Sequence, residues 1–561
     1  MKLKALSKQV AIAVIIAIII VGVAAGYFAF QAGKSPASPT STSSSLPSSP
    51  SATTSESSTP SSSPTSSASS TEAKLASEIV IGVTDKVTDL DPANAYDFFT
   101  WEVLYNVMEG LVKYKPGTTE IVPGLAENWT VSSDGKVWTF VLRPNLKFSD
   151  GTPLTAKDVV RSIERVMKIK GDPSWLVTSF VEKVVAKDDR TVVFYLKQPT
   201  SFFLALVATP PYFPVNPKYP EDKIASDATW GGAGPYRIVK FVRDVELVLE
   251  ANPYYYGPKP KTEKIIIKFY RDASALRLAL ESGEIDIAWR TLRPTDIQYF
   301  KQQSGFKVIE VPGSFIRYIC FNTKVSPTNN LLVRKALAAA IDRQQIIDTV
   351  LLGAGEPLYS LVPKGLWSHI DAFKIYGDGN IELAKKLLEQ AGYSKDKPLE
   401  ITLWYTPTHY GDTEADIAQL IAQQWEKTGL VKVTIKSAEW STYVSYIRKG
   451  QLQAYLLGWY PDYLDPDDYL TPFLDSNANG WSGTGFANET VNKLLEKAQT
   501  IVDQQERAKI YEEVQKILAE QVPYVPLFQG KLFIVTRSDI GGIIPSPTMI
   551  LMYNTIYKVQ G

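Results

Sequence analysis

The chain has 561 residues, with 59 Lys+Arg against 59 Asp+Glu, two histidines and one cysteine. Balanced charge provides no field that would draw nucleic acid or an acidic partner. Two histidines leave little material for histidine metal sites or Ser-His-Asp chemistry, and a lone Cys320 excludes a disulfide framework.

Val10 to Phe30 is an uncharged apolar run. Such a run matches the roughly 30 Å hydrocarbon core of a bilayer, which takes about 20 apolar residues. Lys2, Lys4 and Lys8 precede it and Lys34 follows, so the positive-inside rule puts residues 1–9 in the cytoplasm, the anchor at 10–30 and the body outside. A cleaved secretory signal is the rival reading. Its apolar core is usually about 7–15 residues, and no cysteine follows the run to carry a lipid. Lys4–Gln9 also resembles the processing site of archaeal pilin-like signals, in which the apolar helix stays attached. Ser35 to Thr71 is almost entirely Ser, Thr, Pro and Ala, a composition that cannot bury enough apolar surface to fold. Residues 31–75 are therefore expected to form an extended, O-glycosylated stalk.

The body from residue 76 is too long for one core, because single cores stop growing at roughly 250–300 residues. Glu78–Thr84 (EIVIGVT) reads as a buried strand before a polar turn at Asp91-Pro92. Phe98–Val112 has helical spacing, and Ser132–Gly135 (SSDG) is a hairpin turn in a β-patterned stretch. Thr155 with Asp158 opens a helix that runs to Ile169. Val184–Leu196 holds two strands. Gly231–Pro235 (GGAGP) is a tight turn opening strands Tyr236–Val242 and Val245–Ala251; without a following helix or a Lys-Ser/Thr it is not a phosphate loop. Ala273–Ser282 is a helix stopped by Gly283, Ile285–Ala288 and Tyr318–Asn322 are strands, and Leu331–Leu351 is one long helix. Strands Leu399–Tyr405, Val431–Ile435, Leu452–Trp459, Tyr524–Leu527 and Leu532–Val535 then alternate with helices Ala384–Ala391, Asp416–Lys427, Thr442–Lys449, Asn488–Val502 and Gln505–Glu520. This alternation argues for α/β lobes with helix-covered sheets.

Several local patterns occur together and in order: Pro123–Trp129 (PGLAENW), Trp138–Pro144 (WTFVLRP), Lys147–Ala156 (KFSDGTPLTA), Gly234–Tyr236 (GPY), Ala251–Tyr256 (ANPYYY), Leu280–Asp286 (LESGEID), Val333–Ala336 (VRKA) with Ala340–Arg343 (AIDR), and Gly458–Tyr463 (GWYPDY) with Asp465-Pro466. Over residues 78–561 the chain resembles the extracytoplasmic solute-binding proteins of ABC importers, in the dipeptide/oligopeptide-binding family. The resemblance implies an α/β, two-lobe periplasmic-binding-protein-like fold of the hinge-bending type II, with an extra subdomain at about 113–225 in the first lobe. Lobe I is expected at 76–315 and 526–561, and lobe II at 316–525. It implies binding without catalysis, no cofactor, a small ligand enclosed between the lobes and an ABC permease as partner. Anchor and stalk lie outside the resemblance and look like the archaeal way of holding such proteins at the surface.

Gly458, Trp459, Tyr460, Pro461 and Asp462 align with the segment that pairs with ligand backbone in peptide-binding relatives, and Tyr463 follows in the same motif. The carboxylate matching Asp462 receives the peptide's α-ammonium there, since an enclosed ammonium needs a paired charge. The competing reading makes Asp462, Asp465, Asp467 and Asp468 a solvated acidic turn with Asp465 as a helix cap; the spacing lacks the alternation and glycine of a calcium loop. Asp91, Tyr96 and Trp101 follow the first strand, where the family's ligand lies. Trp230, Trp404, Tyr405 and Trp481 are aromatics able to stack on a ligand, Arg317 can meet a carboxylate, and His409 sits in a polar loop. For each, plain packing competes. Glu127–Trp129, Trp138 and Asp150-Gly151 read as fold-defining, and Asn128 and Asn488 head glycosylation sequons.

The expected function is capture of di- or oligopeptides and their delivery to a permease. An alternative keeps the fold and binds oligosaccharides such as β-linked glucosides, which the tryptophan content suits. A surface hydrolase using two carboxylates and a structural surface protein are more distant, because no nucleophile is paired with a base.

Overall fold

The apolar segment Glu78–Val83 buries Ile79, Ile81 and Val83 completely and takes the middle of a seven-stranded sheet. In this computed structural model, which describes residues 74–407 and 409–560, the sheet runs Phe306–Val311, Leu532–Arg537, Ile287–Trp289, Glu78–Val83, Lys264–Phe269, Glu246–Ala251, Tyr236–Val242. Glu78–Val83 is parallel to both neighbours, with Ile81 opposite Ile267 and Ile287, and the other pairings are antiparallel. A second, six-stranded sheet runs Gly355–Pro357, Tyr524–Gly530, Ile316–Phe321, Ala454–Trp459, Leu399–Tyr405, Val431–Ser437. Its strand Ile316–Phe321 is buried at every position.

Each sheet has its own core. One apolar cluster runs from Ile79 to Ile556 and the other from Ile316 to Phe528. The molecule is thus a two-lobe α/β protein, crossed once between Val311 and Ile316 and again between Gly530 and Leu532. A separate four-stranded antiparallel sheet, Ala126–Val131, Val137–Leu142, Thr191–Leu196 and Val181–Ala186, adds to the first core, with helix Ala156–Ile169 against it. That helix starts in the expected capping box of Thr155 and Asp158.

The differences from expectation have local causes. Tyr524–Gly530 pairs along Ile316–Phe321 as far as Gln529 opposite Ile316, so the second sheet holds the chain past the boundary expected at 525/526. The long helix expected over Leu331–Leu351 is two helices, Leu331–Ala339 and Arg343–Thr349. Asp342 breaks it: its backbone is non-helical, its carboxylate caps Gln345 N–H at 2.9 Å, and its own N–H goes to Gln424 Oε1 at 3.0 Å. The strand Lys264–Phe269 (KIIIKF) was hidden by consecutive isoleucines that mask its alternation. Leu75 bridges Val559 and Ala76 N–H donates to Lys558 O at 2.9 Å, so the body begins inside the segment expected to be stalk. The cytoplasmic residues 1–9, the anchor expected at 10–30 and the stalk to residue 73 lie outside the described residues. Among those described, no helix is long and apolar enough to cross a membrane.

Candidate functional site

The strand Ala454–Trp459 carries the chain out of the second sheet toward the first lobe. Gly458 lies opposite Arg317, whose side chain occupies the space a Cβ would need there. Tyr460 stacks on Phe315 at 4.9 Å and 14°, and meets Phe98 of the first lobe at 5.3 Å. Two residues on, Asp462 Oδ2 accepts from the Tyr96 hydroxyl at 2.9 Å. Asp97 fixes the first-lobe side of this contact. Its carboxylate caps helix Phe98–Val107 through Thr100 N–H at 2.8 Å, setting Tyr96, Phe98 and Trp101 on one short stretch. The Trp101 indole N–H is held by Ala95 O at 2.7 Å, with its ring 5.9 Å from Tyr96.

The four aspartates of this segment divide in two. Asp465 is bound by the Arg507 guanidinium at 3.0 and 2.7 Å, and Asp467 accepts from Tyr463, Tyr511 and Thr471. Asp468 Oδ2 instead takes the Asp462 N–H at 2.9 Å and the Trp459 indole N–H at 3.1 Å, while its buried Oδ1 has no partner among the described residues. Asp462 and Asp468 are thus held by a phenol, an indole and a main-chain N–H rather than by a cation. Burial raises the Asp462 carboxyl to about 7, against the lowering effect of Tyr96; burial and the neighbouring Asp462 raise Asp468. The turn is not a solvated one, since Asp465, Asp467 and Asp468 are at most 6% exposed and Asp462 is half-buried, while Asp465 does accept the Asp467 N–H at 3.0 Å where helix Asp467–Leu474 begins.

Two arginines flank Tyr460. Arg290 follows strand Ile287–Trp289 with φ +70°, lies over Phe98 at 4.4 Å and bonds Asp85 at 3.0 Å; its Nε and Nη1 have no partner among the described residues. Arg317 pairs with Glu414 and lies 3.7 Å over the Tyr410 ring. Sequence reasoning named Arg317 and passed over Arg290, Asp85, Phe98 and Glu414. The usable signal was position: Arg290 stands at the carboxyl end of a strand, where open α/β sheets bind ligands.

The remaining candidates separate clearly. Trp459 and Trp481 pack together at 5.3 Å, with the Trp481 indole N–H on Pro472 O at 2.9 Å. Tyr463 is buried and stacks on Phe202 of the first lobe at 5.2 Å. Trp404 packs edge-on to Tyr446 at 5.6 Å beneath Lys436, and Tyr405 leans on the second core. His409 stacks on Trp440 at 3.7 Å, and burial, then Arg317, lowers its pKa to about 4. Asp91 forms a buried pair with Arg165, at 2.7 and 2.5 Å, and accepts from Ala93 and Ala225 N–H. Trp230 bonds Asp227 O at 2.6 Å. Asp91 and Trp230 therefore hold the fold of the first lobe.

Beside Asp462 lies a cavity of about 130 Å³. Its walls come from helix Phe98–Val107, from Pro461–Leu464 and from the C-terminal stretch around Ile550 and Met552.

The description "Bacterial extracellular solute-binding proteins, family 5 Middle" matches residues 120–481. The chain belongs to this family. It is 30% identical over 488 residues to the "Probable D,D-dipeptide-binding periplasmic protein DdpA" of Escherichia coli K12, covering 85% of this chain and 93% of that protein. It is 31% identical over 483 residues to "Heme-binding protein A" of Haemophilus influenzae, covering 81% and 86%. Among solved structures, the periplasmic binding protein DppA from Helicobacter pylori in complex with peptide STSA superposes with a TM-score of 0.74 at 26% identity, over 87% of this chain and 99% of that one. These family 5 relatives are named as binding proteins, and their names span more than one ligand chemistry.

Proposed function

We propose that this family 5 protein is the extracellular solute-binding component of an ABC importer, capturing di- and oligopeptides between its lobes and delivering them to a membrane permease. The observation that carries this is the Asp462 site. A half-buried carboxylate with a fully buried one beside it, and no protein cation bound to either among the described residues, calls for a cationic ligand group. A peptide α-ammonium has that charge and three donors. A peptide spanning Asp462 on one lobe and the Tyr96–Phe98 stretch on the other touches both lobes only when they meet, so it shifts the population toward closure about the crossings at 311–316 and 530–532. The peptide ligands named for DdpA and for the DppA complex support the same class.

The run at 10–30 is proposed as a single-pass anchor of archaeal type, with residues 31–73 as a glycosylated leash and Asn128, which is exposed, as a further glycan site. The oligosaccharide alternative draws less support. It needs open tryptophan faces, whereas the Trp459 and Trp481 rings pack against each other and both indole N–H groups bond protein acceptors.

Native mass spectrometry of the protein as purified tests the reading. A retained mass matching short peptides supports it; a retained glycan overturns it.

A further inference from the structure

We propose that the cavity beside Asp462 receives the side chain of the ligand's first residue and selects peptides whose first residue is large and apolar. This rests on the reading that Asp462 holds the ligand's ammonium. Position is the first argument. Asp462 and Pro461 form part of the cavity wall, so the Cα bonded to an ammonium on that carboxylate sits at the cavity's mouth, and its side chain is the group nearest the opening.

Size is the second argument. A volume of about 130 Å³ is of the order of the roughly 150 Å³ apolar cavity that stays dry and takes benzene. An isobutyl, thioether or phenyl group fits, whereas a hydrogen or methyl leaves most of the space unfilled.

Chemistry is the third. Trp101, Met108, Phe213, Ile550 and Met552 supply the surface, and the thioethers adapt to differently shaped apolar groups. The lysines and Glu109 in the wall are already paired, while the buried Thr555 hydroxyl has no partner among the described residues. Trp101 spends its N–H on Ala95 O. Glu109 is neutralised by Lys113 at 2.9 Å and accepts from Tyr255 at 2.8 Å and from Tyr256. A charged side chain entering there would lose its water and find no free charge to pair with, only the Thr555 hydroxyl. A packing flaw inside one core would not explain the walls, because they come from both lobes: Pro461–Leu464 follow the second sheet, and the rest belongs to the first lobe. The cavity is completed only when the lobes meet, which couples its filling to closure.

The test is isothermal titration calorimetry on the whole protein with Gly-Ala, Leu-Ala, Phe-Ala, Lys-Ala and Asp-Ala. Full burial of a leucine or phenylalanine side chain predicts that Leu-Ala and Phe-Ala bind roughly ten- to a hundredfold more tightly than Gly-Ala, with Lys-Ala and Asp-Ala below Gly-Ala. Ile550→Trp and Thr548→Phe, both on the C-terminal wall, each shrink the Leu-Ala to Gly-Ala ratio toward one, with thermal unfolding checking that both variants fold. Equal affinity for all five dipeptides, or a Leu-Ala preference that persists in both folded variants, overturns this inference and leaves the peptide reading standing. Failure of every dipeptide to bind overturns the peptide reading and this inference with it.

Discussion

The Tyr96 hydroxyl donates to Asp462 Oδ2 at 2.9 Å, across 366 positions of sequence and from one lobe to the other. The acid is therefore presented by the second lobe and completed by the first. Such a contact exists only while the lobes are together, which ties the charge state of the site to closure.

Asp462→Asn keeps the shape of the site and removes its charge. Loss of one partner of an enclosed charge pair costs about 2–5 kcal/mol, so dipeptide affinity should fall by roughly thirtyfold or more. Tyr96→Phe removes one neutral donor, a change of about 0.5–1.5 kcal/mol. Calorimetric titration of both variants should rank them in that order, and an unchanged Kd for Asp462→Asn would remove the acid from the site.

Acidification should weaken binding. With the lobes together and no ligand, burial raises the Asp462 carboxyl to about 7 by disfavouring its charge. An ammonium prefers the ionised acid, so the carboxyl's pKa in the complex lies below its value in the closed, ligand-free arrangement, and binding to that form near pH 6 expels a proton. Affinity then declines as pH drops below about 7 toward the lower value in the complex. Titrations at pH 6 in buffers of different ionisation enthalpy should report net proton release; proton uptake would be inconsistent with the assignment.

Asp91→Ala should destabilise the first lobe. It strands the Arg165 guanidinium, which Asp91 meets at 2.7 and 2.5 Å, and frees the Ala93 and Ala225 N–H groups. Breaking a buried pair from one side costs about 3–5 kcal/mol. Denaturant unfolding reads this directly. A loss below about 1 kcal/mol, the level of an exposed pair, would mean that the pair is not sealed from water.

What the sequence made legible was local. The capping box at Thr155 and Asp158, the stop at Gly283 (φ +78°) and the strand Ala454–Trp459 leading into Asp462 each depend on neighbours a few residues away. What it concealed depends on distant partners. Asp342 breaks a helix with help from Gln424, and only Arg165, on helix Ala156–Ile169, decides between the structural and the ligand-facing readings of Asp91. Arg290 carries a left-handed backbone that no local motif announces. The aromatic candidates were the least legible, since Trp230 and Trp459 share a residue type and differ only in what surrounds them.

The central claim is that a half-buried acid on one lobe, Asp462, captures a ligand's free ammonium between two lobes. The direct measurement is calorimetric titration of the wild-type protein with one dipeptide in two forms, its N-terminus free and acetylated. The free form should bind and acetylation should weaken it by roughly thirtyfold or more, the factor that corresponds to the 2–5 kcal/mol expected for the charge pair. Equal binding of the two forms would contradict the account.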